Sequence, residues 1–280
     1  MMSPRLAPFT DVGMLRRLLD SGDLDAVVCD CRAYLDEREG IDAYRAGHIP
    51  GARFIDLETV VSGPVESGSG KGRHPLPDSA VFADSLGRAG IGHNSTVVAY
   101  DDVGGAIAAR LVWMLRAVGQ DASVLDGGLG AWGEPLETGE SRVEPVEHNE
   151  RPFPRNAFVS AGDVAAVIER DGLVVDSRGA DRYAGLVEPI DRIAGHIPGA
   201  INLPFVENLD DGRVRPIDDL TTRFEAAGVN ADTVFYCGSG VTACHNLLAV
   251  EASGLGRAKL YVGSWSGWID RVDPSISTAG

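Results

Sequence analysis

Positive charge is scarce in this 280-residue chain: 25 lysines and arginines face 41 aspartates and glutamates, for a formal net charge of −16. A nucleic acid or an anionic membrane surface is met by a basic face, so neither is expected as a partner. An anionic small molecule would have to be met by local arginines. Long apolar runs are missing as well. No stretch of about 18 apolar residues occurs, so no membrane-spanning helix is expected. The opening Met1-Met-Ser-Pro-Arg-Leu-Ala-Pro8 lacks the apolar core of a secretory leader. A cytoplasmic location is therefore expected. Cysteine is sparse: Cys29, Cys31, Cys237 and Cys244 are too few and too irregular for a disulfide scaffold. Cys29 and Cys31 lack the Cys-x-x-Cys spacing and a second ligand pair, so no zinc site is expected, and no cofactor.

What is present describes an ordinary globular protein, 44% hydrophobic and 24% charged, long enough for two domains. The most informative stretch is Thr233-Val-Phe-Tyr-Cys-Gly-Ser-Gly-Val-Thr-Ala243, followed by the helix-like Cys244-His-Asn-Leu-Leu-Ala-Val-Glu251. Apolar strand, glycine-broken turn and helix in succession present a thiol to backbone N–H groups at a helix N-terminus. Such surroundings favour the thiolate, the nucleophilic form of cysteine. Gly238 and Gly240 let the backbone curl so that successive amides turn inward, and Val241 belongs to the same loop. Ser239 and Thr242 can add hydroxyl donors; Thr242 serves equally well as a helix cap. Cys244, among apolar neighbours inside the helix, reads as packing, as do Cys29 within Ala26-Val-Val-Cys-Asp30 and Cys31 just after it.

The chain repeats itself. Asp30-Cys-Arg32 and Gly47-His-Ile-Pro-Gly-Ala52 recur, in order and at similar offsets, as Asp176-Ser-Arg178 and Gly195-His-Ile-Pro-Gly-Ala200. Gly90-Ile-Gly-His-Asn-Ser-Thr-Val-Val-Ala-Tyr100 matches Gly228-Val-Asn-Ala-Asp-Thr-Val-Phe-Tyr236, and Asp126-Gly-Gly-Leu-Gly-Ala-Trp132 matches Val262-Gly-Ser-Trp-Ser-Gly-Trp268. The apolar runs 26–30, 95–100 and 122–125 read as strands, and 173–176, 233–236 and 259–262 repeat them. Residues 11–19 and 161–169 read as amphipathic helices. Continuous apolar strands alternating with helices imply an α/β fold, each copy a parallel sheet covered by helices on both faces. Reactive groups in such sheets lie beyond the carboxyl ends of the strands, where Cys237 falls. The expected organisation is a domain over 1–136, a proline-broken charged linker over 137–156, and a domain over 157–280. The histidines of the two His-Ile-Pro-Gly-Ala segments read as structural, because the same tight turn occurs in both copies.

The ordered set of motifs, given twice, resembles the rhodanese superfamily, and specifically its two-domain sulfurtransferases, over about residues 8–270. The resemblance implies tandem rhodanese-like domains, a silent first one and a second one carrying the nucleophile. Matching Tyr100 to Tyr236 puts Asp101 where Cys237 stands, and a carboxylate cannot accept sulfur. The reaction implied runs through a Cys237 persulfide: a sulfane sulfur leaves a small anionic donor and passes to a thiol, cyanide or a thioredoxin-like acceptor.

Within that family, thiosulfate enzymes carry basic residues at the two positions after the cysteine, and 3-mercaptopyruvate enzymes carry small ones. Gly238 and Ser239 thus favour 3-mercaptopyruvate, with thiosulfate as the alternative. Arg182 matches a substrate-binding arginine, suited by its planar fork to a carboxylate. A second such arginine is expected in a Glu-Pro-Arg-Asp context. Here Glu188-Pro-Ile-Asp-Arg192 has isoleucine at that place, and Arg192 is the displaced candidate. Arg32 and Arg178, in the repeated Asp-x-Arg pairs, read as structural. His74, in Gly72-Arg-His-Pro-Leu-Pro77, resembles a site-facing histidine, the alternative being an exposed loop histidine without a role. Its expected acidic partner appears as Asp56-Leu-Glu58, with glutamate at the second acidic position, as in thiosulfate enzymes. A cysteine phosphatase would need Cys-x5-Arg, and the sixth residue after Cys237 is Ala243. A persulfide carrier or regulatory module without turnover would need no closing first domain, so the duplication weighs against it.

Overall fold

The computed structural model describes residues 6–21, 25–66 and 68–271; the opening residues through Arg5, read above for a leader, lie outside them. The chain forms two compact units. The first comprises the chain up to Gly63 with Pro77–Pro154 and Asp210–Val214; the second comprises Pro64–Leu76, Arg155–Leu209 and the chain from Arg215 onward. These differ from the contiguous stretches 1–136 and 157–280 in one respect that matters for the site: Pro64–Leu76, from the first half of the sequence, packs within the second unit. Glycine makes this close approach possible. Gly72 has a φ of +80°, and a β-carbon there would lie 2.4 Å from the Gly263 carbonyl oxygen. Only a residue without a side chain fits.

Each unit is built on a five-stranded parallel sheet. In the first the order is Phe9–Thr10, Ala122–Leu125, Thr96–Tyr100, Ala26–Asp30, Arg53–Phe54; in the second it is Phe158–Val159, Lys259–Tyr261, Val234–Tyr236, Val174–Asp176, Ile201–Asn202. The same permutation twice is the structural form of the sequence repeat. The apolar runs became the central strands because both their faces are covered. Val97 and Ala99 point one way, Val98 and Tyr100 the other, and none is more than 1% exposed. On one face of the first sheet Val98, Tyr100, Val28 and Leu125 pack with Leu15, Tyr44 and Trp132; in the second, Val174, Val234, Tyr236 and Tyr261 pack with Val164, Ile197 and Trp265. The short edge strands, two residues each, carry too little alternation to be read from sequence.

The expected helices form with one-residue adjustments at their ends, as Val12–Asp20 and Ala161–Ile168. Asp11 caps the first by accepting the Met14 amide, and Ser160 with Asp163 makes a capping box on the second. No helix among the described residues is long and apolar enough to cross a membrane, and no group of three or more His, Cys, Asp or Glu among them could hold a metal ion.

The repeated motifs do the same structural work in both units. Arg32 pairs with Asp30 at 2.6 Å and donates to the Gly47 carbonyl; Arg178 pairs with Asp176 at 2.7 Å and donates to the Gly195 carbonyl. His48 stacks on Tyr44 and His196 on Tyr183, both at 3.9 Å between ring centroids, with Nδ1 against the same tyrosine's carbonyl. The hydroxyls of Tyr100 and Tyr236 accept the amides of Ile49 and Ile197. The end of the tyrosine's strand is thereby tied to the His-Ile-Pro-Gly turn earlier in the same unit, and the loop beyond the tyrosine starts from a fixed point.

Candidate active site

That loop, in the second unit, runs from Cys237 to Thr242 before the helix Ala243–Ala252. Cys237 is 1% exposed. The Gly240 amide donates to its Sγ at 3.1 Å. Gly240 holds a φ of +81°, and a β-carbon on it would stand 2.6 Å from the Val262 carbonyl oxygen, so the turn admits no other residue without moving backbone. From the other side the segment opening with Ser264 clamps the loop. The Ser264 hydroxyl accepts the Cys237 amide at 3.1 Å and donates to the Tyr261 carbonyl, while the amides of Trp265 and Ser266 donate to the carbonyls of Cys237 and Gly238. Ser264 itself sits at a φ of +53°, a conformation rare outside glycine. These bonds explain why the repeat ends in Gly-Ser-Trp-Ser: the turn positions the loop.

Of the hydroxyl residues, Ser239 is 7% exposed and its Oγ lies 2.7 Å from Nδ1 of His74, which Pro64–Leu76 brings to this unit. Thr242 stands at the N-cap of Ala243–Ala252, yet its side chain makes no cap bond. Its hydroxyl therefore does not do the capping work open to it on sequence. Val241 is buried in the turn, and Cys244 is fully buried with its Sγ toward the Gly240 carbonyl, in a packing position. Cys29 and Cys31 are buried in the first unit, where burial raises both thiols well above the ordinary value. All four cysteines are free.

The arginines are arranged differently from the expectation. A β-carbon placed on Gly238 would lie 3.5 Å from both terminal nitrogens of Arg182, as anticipated, and 3.2 Å from Nη2 of Arg73, which was not. Arg192 is instead exposed, and donates to the Ile269 carbonyl; the structure does not bring it to the loop, because the end of the helix Ser264–Ile269 offers its guanidinium a carbonyl. Two acidic side chains, each under 5% exposed, hold the others. Glu188 accepts from Arg182 at 2.6 Å and pairs with Arg178 at 3.1 Å; Asp191 gives one oxygen to Arg73 and the other to Arg182 at 3.2 Å. Burial acts to raise Glu188, but the Arg182 hydrogen bond and the amides of Asp191 and Ile190 outweigh it and hold the carboxyl below its ordinary value. For Asp191 burial prevails over Arg73 and the value is raised. Arg73 carried one signal in the sequence, a basic residue beside His74 in an acidic chain. Glu188 and Asp191 stood only in the motif that displaced Arg192.

The matching loop of the first unit shows what such a turn can hold. Asp101 is fully buried and accepts four backbone amides, from Val103, Gly105, Ile107 and Ala108, at 2.7–2.9 Å. The inward-turned amides of this loop are thus taken up by a carboxylate of the chain itself. Asp56, an expected partner of His74, accepts the amides of Glu58 and Thr59 and the Thr59 hydroxyl, within its own turn.

The family model described as rhodanese-like domain matches the chain twice, over residues 11–135 and 160–271. A protein of Pseudomonas aeruginosa named probable 3-mercaptopyruvate sulfurtransferase is 46% identical over 89% of this chain and 90% of its own length. Thiosulfate sulfurtransferase of Bos taurus is 35% identical over 85% of this chain and 82% of its own length. The solved structure of 3-mercaptopyruvate sulfurtransferase from Leishmania major superposes with a TM-score of 0.80 at 33% identity, covering 95% of this chain and 75% of that one.

Proposed function

The chain belongs to the rhodanese-like domain family, and from that premise we propose that it is a sulfurtransferase that takes sulfur from 3-mercaptopyruvate onto Cys237. The observation that carries the reading is the meeting, on one loop, of the Cys237 sulfur under the Gly240 amide with the Ser239 hydroxyl under His74.

The Cys237 thiolate attacks the donor sulfur. A sulfur–sulfur bond forms, the sulfur–carbon bond breaks, and its electron pair leaves on carbon as the enolate of pyruvate. The proton of the donor thiol ends on that carbon, giving pyruvate and a persulfide anion. Ser239 and His74, sharing a hydrogen bond, form the path for that proton. The persulfide's outer sulfur takes the place of an anion among the loop amides, the service the first unit's loop renders to Asp101. A thiol then attacks the outer sulfur, leaves as a persulfide and restores the Cys237 thiolate; cyanide leaves as thiocyanate. The balance calls for no cofactor. Thiols, cyanide and a thioredoxin-like dithiol are the acceptors this chemistry suits, and four free cysteines favour a reducing, cytoplasmic setting.

Incubation with 3-mercaptopyruvate is expected to add one sulfur to Cys237 by intact mass and peptide mapping, and Cys237→Ser to abolish both the adduct and turnover. Sulfur found on another cysteine refutes the assignment. A second reading has support of its own: the guanidiniums of Arg73 and Arg182 at Gly238 suit the dianion thiosulfate, and the bovine relative bears that name. Comparing kcat/KM for the two donors on one preparation decides between them.

A further inference from the structure

We infer that Arg73 is the second donor-binding arginine of this site, acting with Arg182 on the anionic group of the sulfur donor; this deepens the function proposed above and rests on it. The geometry begins at Gly238. The two guanidiniums meet over this residue, one step along the chain from the nucleophile, in the space a side chain at 238 would enter. Glycine there leaves room for them. The carboxylate of mercaptopyruvate lies three bonds from its sulfur, so with that sulfur at Cys237 it falls in front of the loop's first residues. In a chain of net charge −16, an anion is drawn there only by fixed cations.

Arg73 is held at two points, backbone and side chain. Its backbone amide donates to the Ser266 hydroxyl at 3.1 Å. Its Nη1 donates to Asp191, whose other oxygen holds Arg182, so one buried carboxylate sets the spacing of the two guanidiniums. Its Nη2 is the atom nearest the position of a Gly238 side chain. Ile190, where a cation was expected, is apolar and 39% exposed, and Arg192 is occupied at Ile269. Arg73 thus supplies from the Pro64–Leu76 segment the charge that the Glu188–Arg192 segment does not.

The test uses Arg73→Met and Arg73→Lys in the full chain, with folding checked by thermal unfolding. Three quantities are read: KM for 3-mercaptopyruvate, the inhibition constant of pyruvate, which carries the carboxylate without a transferable sulfur, and discharge of the preformed persulfide to neutral 2-mercaptoethanol. Arg73→Met is expected to raise the first two together, by about 10- to 100-fold, and to leave discharge within about twofold. Arg73→Lys is expected to recover part of the loss, since an ammonium keeps the charge but not the fork. Unchanged KM and inhibition constant overturn the inference; so does a fall in discharge that matches the loss of donor binding, which marks a support of the loop. If the wild-type protein takes no sulfur from mercaptopyruvate, the functional reading fails. The KM for thiosulfate then decides Arg73, and an unchanged value in Arg73→Met overturns its role.

Discussion

The Gly240 amide reaches the Cys237 sulfur at 3.1 Å only because residue 240 is left-handed and carries no side chain. Gly240→Ala adds about 1–2 kcal/mol of backbone strain and a collision with the Val262 carbonyl. Persulfide formation, followed by mass spectrometry over time, is expected to slow by at least about 100-fold, with a lower melting temperature. A variant that formed persulfide at the wild-type rate would show that this turn is not needed.

Ser239 and His74 bear on donor choice. Breaking the carbon–sulfur bond of a keto acid calls for a proton to be moved, and breaking the sulfur–sulfur bond of thiosulfate does not. Ser239→Ala is expected to lower kcat/KM for mercaptopyruvate about 10- to 100-fold and for thiosulfate less than about threefold. Equal losses on both donors would make Ser239 a support of the loop instead of a proton carrier.

Asp101 is a claim about stability. Replacing it with asparagine swaps one accepting oxygen for an NH2 group that faces N–H donors, leaving buried amides unmatched. Asp101→Asn is expected to destabilise the first unit by about 2–4 kcal/mol in urea titrations, while Cys237 in the folded protein still takes up sulfur. A wild-type unfolding curve would mean the four amide bonds contribute little.

Glu188 gives a pH dependence with a definite sign. Its carboxyl is held below the ordinary value in the folded chain, so the folded state is favoured above the unfolded value of about 4.3. That advantage is lost as pH falls through the lower folded value. The stability gap between wild type and Glu188→Gln is expected to be widest above about pH 5 and to narrow progressively below about pH 4.3. A gap independent of pH from 7 to 3 contradicts the assignment.

Much of the candidate site was legible without coordinates because its parts are local. A strand, a glycine-broken turn and a helix around Cys237 are contiguous, so their types and order show in one local stretch of sequence. The duplication likewise announced both sheets, since buried parallel strands show as unbroken apolar runs. The place of the Arg192 side chain was not legible, for the opposite reason. Where an arginine's tip goes is decided by whichever acceptor lies within reach, and the Ile269 carbonyl lies 77 residues away in the chain.

The chain alone thus determined the strand, turn and helix around Cys237, the repeated parallel sheets and the carboxylate at the matching place in the first unit, each a consequence of residue type and short-range pattern. Tertiary structure decided the rest. It placed Pro64–Leu76 in the second unit through side-chain-free contact at Gly72, set Ser239 under His74, and tied Arg73 to Asp191 across 118 residues. Those are encounters between distant segments, governed by packing and charge pairing in three dimensions, and no local pattern encodes them.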